Sequence, residues 1–411
     1  MRWLWSSTCN RYRQVDRRSQ ITLNFVFHPN YSKTPASFRI CDRAECFQVS
    51  EVHISGLEAA QAEEITPTDA GKVTFGVLYK KGISTINTLR VIKRILGVKT
   101  IGYGGLKDTH AISWQFISIE GKVNGFSINE TRFIPISTRY THMSTREVWG
   151  NSFFIHLVDV NKPLILTNRF VKLCEKPIPA YYGPQRFGKI DNDTHLVGMH
   201  ILKKDYQKAI NKILDGKNGW YEALLQKSLN TAKNDEQALL SLPNFILRLF
   251  INAYQAHVFN RALKKFYDLA PFSPATKIMV APSSANGLPI EAKTELINGD
   301  TANKVDYKRQ YFMGLLPGTD LEKSADEFGR IETEVLIKDG LTPSDFKNTL
   351  LGNFRGSKRQ LYFWVVKPQY LLAKKSLWLR FKLHRGMYAT VVLSILADFN
   401  PQEKFPNLKL L

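Results

Sequence analysis

Acidic residues are in short supply in this chain of 411 residues: Asp and Glu number 36 against 57 Lys and Arg, a formal net charge of +21. Such a balance points to a polyanionic partner, because basic side chains release counterions when they meet phosphates. Cysteine is scarce too. Cys9, Cys41, Cys46 and Cys174 are too few and too scattered for a disulfide framework, which favours a reducing, cytoplasmic compartment. No apolar run approaches the roughly 18 residues of a membrane span, the longest being Thr390–Ala397. Membrane attachment by a polybasic surface would need an amphipathic helix or a lipidation motif, and neither is present. Residues 1–20 carry Arg2, Arg11, Arg13, Arg17 and Arg18 without the apolar core of a secretory signal. An organellar transit peptide fits their composition, and a flexible basic arm is the expectation.

What is present is ordinary globular material, 44% hydrophobic and 23% charged, long enough for two or three domains at about 150 residues each. Phe47 and Val49 alternate with Gln48 and Ser50, so the segment within 38–54 reads as a strand, as does Val73–Lys80. Ser84 is placed to cap a helix carrying Ile86, Leu89, Ile92 and Leu96 at helical spacing and ending at Gly97. Ile112–Glu120, Arg132–Ser137 and Ser152–Val160 complete a mixed α+β region. Past residue 200 the texture becomes helical over Asp205–Leu214, Trp220–Gln226 and Leu242–Tyr267. Ala270–Asp320 reads as loop-rich. Strand texture returns at Gln360–Val366 and Trp378–Leu383, and Ala389–Ala397 reads as a helix. A mainly helical insertion splitting an α+β domain accounts for this order.

The segment densest in chemistry is Gly102–Gln115, where three glycines precede Lys107 and Asp108 at the start of a strand. It lacks the spacing of a phosphate loop or a dinucleotide fingerprint, and an aspartate would repel phosphate. Cys41 and Cys46 have no second Cys or His pair to complete a zinc set, and there is no serine elbow or cysteine-protease signature. A carboxylate acting as nucleophile or general base is the enzyme option that remains. Ala180–Gly188 packs Tyr181, Tyr182, Phe187 and Arg186 into nine residues, a composition suited to an unstacked base and its phosphate. In the long helix, Tyr254 and Val258 have core spacing, with Gln255 or Asn260 placed to bond a loop.

Together these segments resemble the tRNA pseudouridine synthase D (TruD) family. Gly105-Leu-Lys107-Asp108-Thr-His-Ala111-Ile-Ser113-Trp-Gln115 matches the family's central motif, with Ser113 for the usual Thr. Ala180–Gly188, Tyr254–Asn260, Cys46–Glu51 and Gly386–Thr390 match four further motifs in family order. The resemblance implies a pseudouridine synthase catalytic domain with a mixed or antiparallel sheet over residues 21–204 and 351–411, interrupted by a TruD-type insertion over 205–350. It implies isomerisation of a uridine in tRNA, or in another structured RNA, with no cofactor, no metal, no membrane and no obligate protein partner. Asp108 matches the catalytic nucleophile, and Phe47, Tyr182 and Tyr388 match aromatic positions around the base. Lys107 and Arg186 are the cations available to keep Asp108 ionised. Ala180, Ala256 and Ser394 depart from the family's usual Asn, Ser and Arg, which bears on how substrate is positioned. A catalytically silent RNA-binding scaffold is the competing reading, and the retained Asp108 argues against it. A DNA-binding regulator would need a helix-turn-helix or finger that is absent. Residues from Leu351 onward carry eleven Lys and Arg against Asp398 and Glu403. Lys374, Lys375, Arg380, Lys382 and Arg385 are therefore expected to include phosphate contacts.

Overall fold

The computed structural model describes residues 13–14, 37–41, 43–63, 71–188, 193–216, 220–347 and 349–397. It divides into two compact units, one formed by the chain up to Ile178 together with the stretch from Phe363 onward, the other by Pro179–Tyr362. Apart from a short backbone pairing of Arg13–Gln14 with Gln369–Tyr370, the basic arm expected at 1–20 lies outside the described residues.

The first unit is built on a sheet with eleven strands among the described residues. At its centre the strand Phe47–His53 runs parallel to Ile112–Glu120 and antiparallel to Val148–Val158. Val73–Lys81 lies on the far side of Ile112–Glu120, and Ser376–His384 on the far side of Val148–Val158. Apolar side chains from these strands pack on both faces of the sheet. On one face Leu78, Ile117, Ile119 and Phe133 pack against Leu89 and Ile92 of the helix Thr85–Leu96. On the other, Phe75, Val77 and Phe116 pack with Met143 and Val148. The helix starts where the sequence places it: the Ser84 side chain accepts from Asn87 N at 3.2 Å. It stops at Gly97, whose φ of 65° is left-handed and open to glycine at little steric expense.

The second unit centres on the helix Asn244–Asp268, buried along Leu247, Ile251, Tyr254 and Val258, a spacing that keeps one stripe facing inward. The helix Thr194–Leu202 crosses it at Gly198, where a Cβ would run into the Phe250 carbonyl. The loop-rich stretch also holds short strands. Residues 270–320 are not merely loop: Lys277–Pro282, Glu295–Asn298 and Gln310–Leu315 join Lys358–Gln360 in an antiparallel sheet of four strands. The strands within 270–320 are four to six residues long and the segment is broken by Pro, Gly and Asn, so their period is too short to register in the sequence. Pro163–Cys174, Thr194–Leu202 and Glu327–Lys338 are further helices that the sequence pattern did not announce.

Candidate active site

The Lys107–Asp108 segment is a loop rather than the start of a strand; regular pairing begins only at Ile112. Buried polar side chains from the surrounding elements hold it. Lys80, at the end of the neighbouring strand, is completely buried and its ammonium donates to the carbonyls of Asp108 at 2.7 Å and Ile83 at 2.9 Å. The Thr85 hydroxyl, one residue past the helix cap, accepts from Lys107 N at 3.1 Å and lies 3.2 Å from Gln115 Oε1. Gln115 in turn reaches the Gly105 carbonyl through Nε2 at 3.5 Å. Lys107 turns away to Glu51, whose carboxylate is fully buried, in an ion pair of 2.5 Å. The other oxygen of Glu51 accepts from Phe116 N at 2.8 Å. Gly104 must be glycine, since a Cβ there would overlap Val148.

This arrangement gives Lys80 and Lys107 different partners. Lys107 pairs with Glu51. Lys80 feels the Asp108 charge. Burial pulls its pKa down to about 8, opposed by the Asp108 charge, while Lys107 adds to the depression. Nothing in the sequence singled out Lys80. It looks like the polar end of a strand beside Lys81, and only the pairing of Lys80 with Ser113 carries it to the Asp108 loop.

Phe47 is buried, its ring edge-on to Phe153 with centroids 6.2 Å apart. Its neighbour Gln48 is in register with Ile112. Tyr388 is half-buried at the head of the helix Ala389–Leu396. It follows His384, which the register aligns with Gly150 and thereby with Val52, at the opposite end of the same strand from Phe47. Part of the basic stretch 374–385 is engaged within the protein. Lys382 and Arg380 pair with Glu58 at 2.5 and 3.5 Å, and Arg385 donates to the backbone carbonyls of Thr145 and Arg146 at 3.4 and 3.2 Å. These three cations are engaged in holding the sheet; Lys374 and Lys375 remain exposed.

Tyr182 and Arg186 belong to the second unit. Asn260 clamps the Tyr182 backbone from both sides, accepting from its N–H at 2.8 Å and donating to its carbonyl at 3.0 Å. Gln255 likewise bonds a loop, donating to the Pro317 carbonyl at 2.6 Å. The Arg359 guanidinium lies 3.9 Å from the Tyr182 ring centre and donates to the Ala180 carbonyl at 2.9 Å. Arg186 lies 5.7 Å from the same ring. At the departure from the family's Asn, Ala180 is thus tied down by its backbone.

One group among the described residues has metal-ligand chemistry. Cys41, Cys46 and His156 place their ligand atoms within 4.8 Å of one another. The two cysteines are joined in a disulfide, a local link within one turn rather than a framework. His156 Nδ1 lies 3.7 Å from Cys46 Sγ, and its ring stacks on Trp378 at 3.6 Å.

A mixed α+β sheet carrying a buttressed Lys-Asp loop defines the class, and comparison gives the family. The tRNA pseudouridine synthase D (TruD) profile matches residues 30–219 and 217–395; the chain belongs to this family of isomerases. The fold is shared with the crystal structure of a Methanosarcina mazei protein assigned as a putative tRNA pseudouridine synthase D, with a TM-score of 0.64 and 23% identity over 90% of this chain and 96% of that one. Sequence relatives assigned to the same enzyme include one from Pyrobaculum arsenaticum, 26% identical over 85% of this chain and 89% of its own. Another from Pyrococcus furiosus is 28% identical over 79% and 89%. Among the described residues no helix is long and apolar enough to cross a membrane.

Proposed function

We propose that this protein isomerises a uridine of tRNA to pseudouridine with Asp108 as the covalent nucleophile. The reaction breaks the bond from N1 of uracil to the ribose and makes one from C5; N1 gains a proton and C5 loses one, so the product is an isomer. The observation that carries the reading is the clamp of Lys80, Thr85 and Gln115 on residues 105–108. Such a clamp fixes the backbone that carries Asp108 before substrate arrives, the kind of preorganisation a nucleophile needs. Phe47, Tyr182 and Tyr388 are assigned to the base, which must leave its stack at a cost of about a few kcal/mol that aromatic contact offsets. Arg186 is assigned to the RNA, and Lys107 to the loop through Glu51. Residues 21–204 and 351–411 are assigned as the catalytic domain and 205–350 as the insertion. A tRNA substrate supports a cytoplasmic location.

The test is pseudouridine mapping of total tRNA treated with the protein and with its Asp108→Asn form. Loss of every modified site with tRNA affinity retained is expected. Turnover by Asp108→Asn would overturn the assignment, and absence of turnover by the native protein on any tRNA would favour a silent RNA-binding scaffold.

A further inference from the structure

We infer that a pocket within the second unit, lined by Tyr182, Arg186, Arg248 and Arg355, is a nucleotide subsite whose arginines grip an RNA phosphate beside the base assigned to Tyr182; the inference rests on the reading of this protein as an RNA-modifying enzyme. The pocket has a volume of about 350 Å³ and no carboxylate among the residues that line it. None of the three arginines pairs with an Asp or Glu among the described residues. Two of them are steadied by aromatic faces instead: Arg248 lies 5.3 Å from the ring centre of Phe354, and Arg186 lies 5.7 Å from that of Tyr182. The Nε of Arg186 is buried with no hydrogen-bond partner. Three uncompensated guanidiniums around one cavity repel one another, and an anion relieves that repulsion. Guanidinium forks match the paired oxygens of a phosphate, which a compact ammonium does not.

The scaffold accounts for the placement. Arg248, Asn252 and Gln255 follow the i, i+4, i+7 spacing of one face of the helix Asn244–Asp268. Opposite them the 353–357 loop brings Arg355, with Gly356 at a φ of +92°, where a Cβ would also meet the Leu316 carbonyl. Gln255 is occupied by the Pro317 carbonyl, which leaves Asn252 as the amide on this helix face that is suited to a base edge or a ribose hydroxyl. The volume falls in the range of small-molecule sites, about 300–1,000 Å³, and admits one nucleotide rather than a duplex. Arg248 and Arg355 are exposed, so substituting them leaves the core of the unit intact.

The experiment is a fluorescence-anisotropy titration of an unmodified tRNA transcript over a range of NaCl concentrations. It compares the native chain with Arg248→Gln, Arg355→Gln and the double variant, each checked for an unchanged melting temperature. Each single change should weaken binding several-fold and lower the slope of log K against log [salt] by about one. In turnover assays the loss should appear in KM, with kcat at saturating tRNA moved far less. The same loss should occur in an Asp108→Asn background, so it is measured independently of catalysis. Unchanged affinity and slope in the double variant would overturn the subsite. So would weakened binding of polyglutamate with undiminished tRNA binding, which would make the pocket a dock for acidic protein. Should the native chain prove inactive on tRNA while the variants still lose salt slope, the function falls and the pocket stands.

Discussion

Lys80 Nζ donates a hydrogen bond to the main-chain carbonyl of Asp108 at 2.7 Å from a completely buried position. A charged donor in the core is expensive unless it is bonded, and here its partners are the carbonyls of Ile83 and of the loop that carries the proposed nucleophile. Lys80→Met should leave both carbonyls without this donor. The expected result is a fall in kcat on the order of a hundredfold, the scale on which a displacement of about 1 Å acts. Affinity for tRNA should change little. Single-turnover assays beside binding titrations separate the two.

The same residue gives a pH signature. Its pKa in the folded chain is lowered to about 8 from 10.5, so below pH 8 the folded state bears the full penalty of a buried charge. Between pH 8 and 10.5 the unfolded chain binds the proton that the folded chain has released, and stability gains from this group as pH rises. Urea unfolding at about pH 7.5 and 9.5, on either side of the folded-state value, should show this increment in the native chain and lose it in Lys80→Met. An increment of equal size in both proteins would mean that another group causes it.

Lys107 and Glu51 form a nearly dry ion pair, with side chains 9% and 0% exposed. Removing one partner strands the other charge, a defect worth about 3–5 kcal/mol in buried pairs. Glu51→Gln and Lys107→Met should each destabilise the first unit strongly, and the double variant should be more stable than the sum of the two losses implies. Denaturant midpoints for the four proteins of this cycle give the coupling directly.

Acid should weaken the fold before it titrates ordinary carboxylates. Burial holds His257 and His384 at about 4, with the charges of His195 and Arg385 respectively adding to the depression. The unfolded chain therefore takes up protons at these sites as pH falls from 6.5 towards 4, and stability drops over that window. Glu147, held at about 2 by Arg139 and by bonds from Ser144, extends the loss from 4.5 down to 2. A thermal-melt series from about pH 7 to 4 should fall steadily, and His384→Phe should flatten the upper part of that series.

Asn260→Leu tests the support of the aromatic motif. It removes both hydrogen bonds to the Tyr182 backbone and strips a buried N–H and carbonyl of this partner, each loss worth about 1–3 kcal/mol. A lower melting temperature and a raised KM for tRNA are expected. An unchanged KM would detach Tyr182 from RNA binding.

Much of the site is legible in the sequence. The spacing of Gly105, Lys107, Asp108 and Gln115 marks the loop, and Ser84 and Gly97 mark the helix beside it, because caps, turns and motifs are local properties of the chain. The sheet of the second unit is not legible, since its strands are short and interrupted. Nor is the fate of the basic stretch near the end: Arg380 and Lys382 look like RNA contacts in sequence, yet the strand Ser376–His384 brings them to Glu58.

By itself, then, the sequence determined the excess of positive charge, the capped helix Thr85–Leu96 and the family motifs. Only the tertiary structure decided where Lys80 and Lys107 are engaged. Lys107, adjacent in sequence to Asp108, is taken by Glu51, while Lys80, 28 residues away, holds the Asp108 loop. Likewise Arg186, Arg248 and Arg355 are scattered along the chain and meet at one cavity. The physical reason is the same in both cases. Charges act across a few ångströms of space, and strand register and helix phase, not distance along the chain, set which side chains come that close.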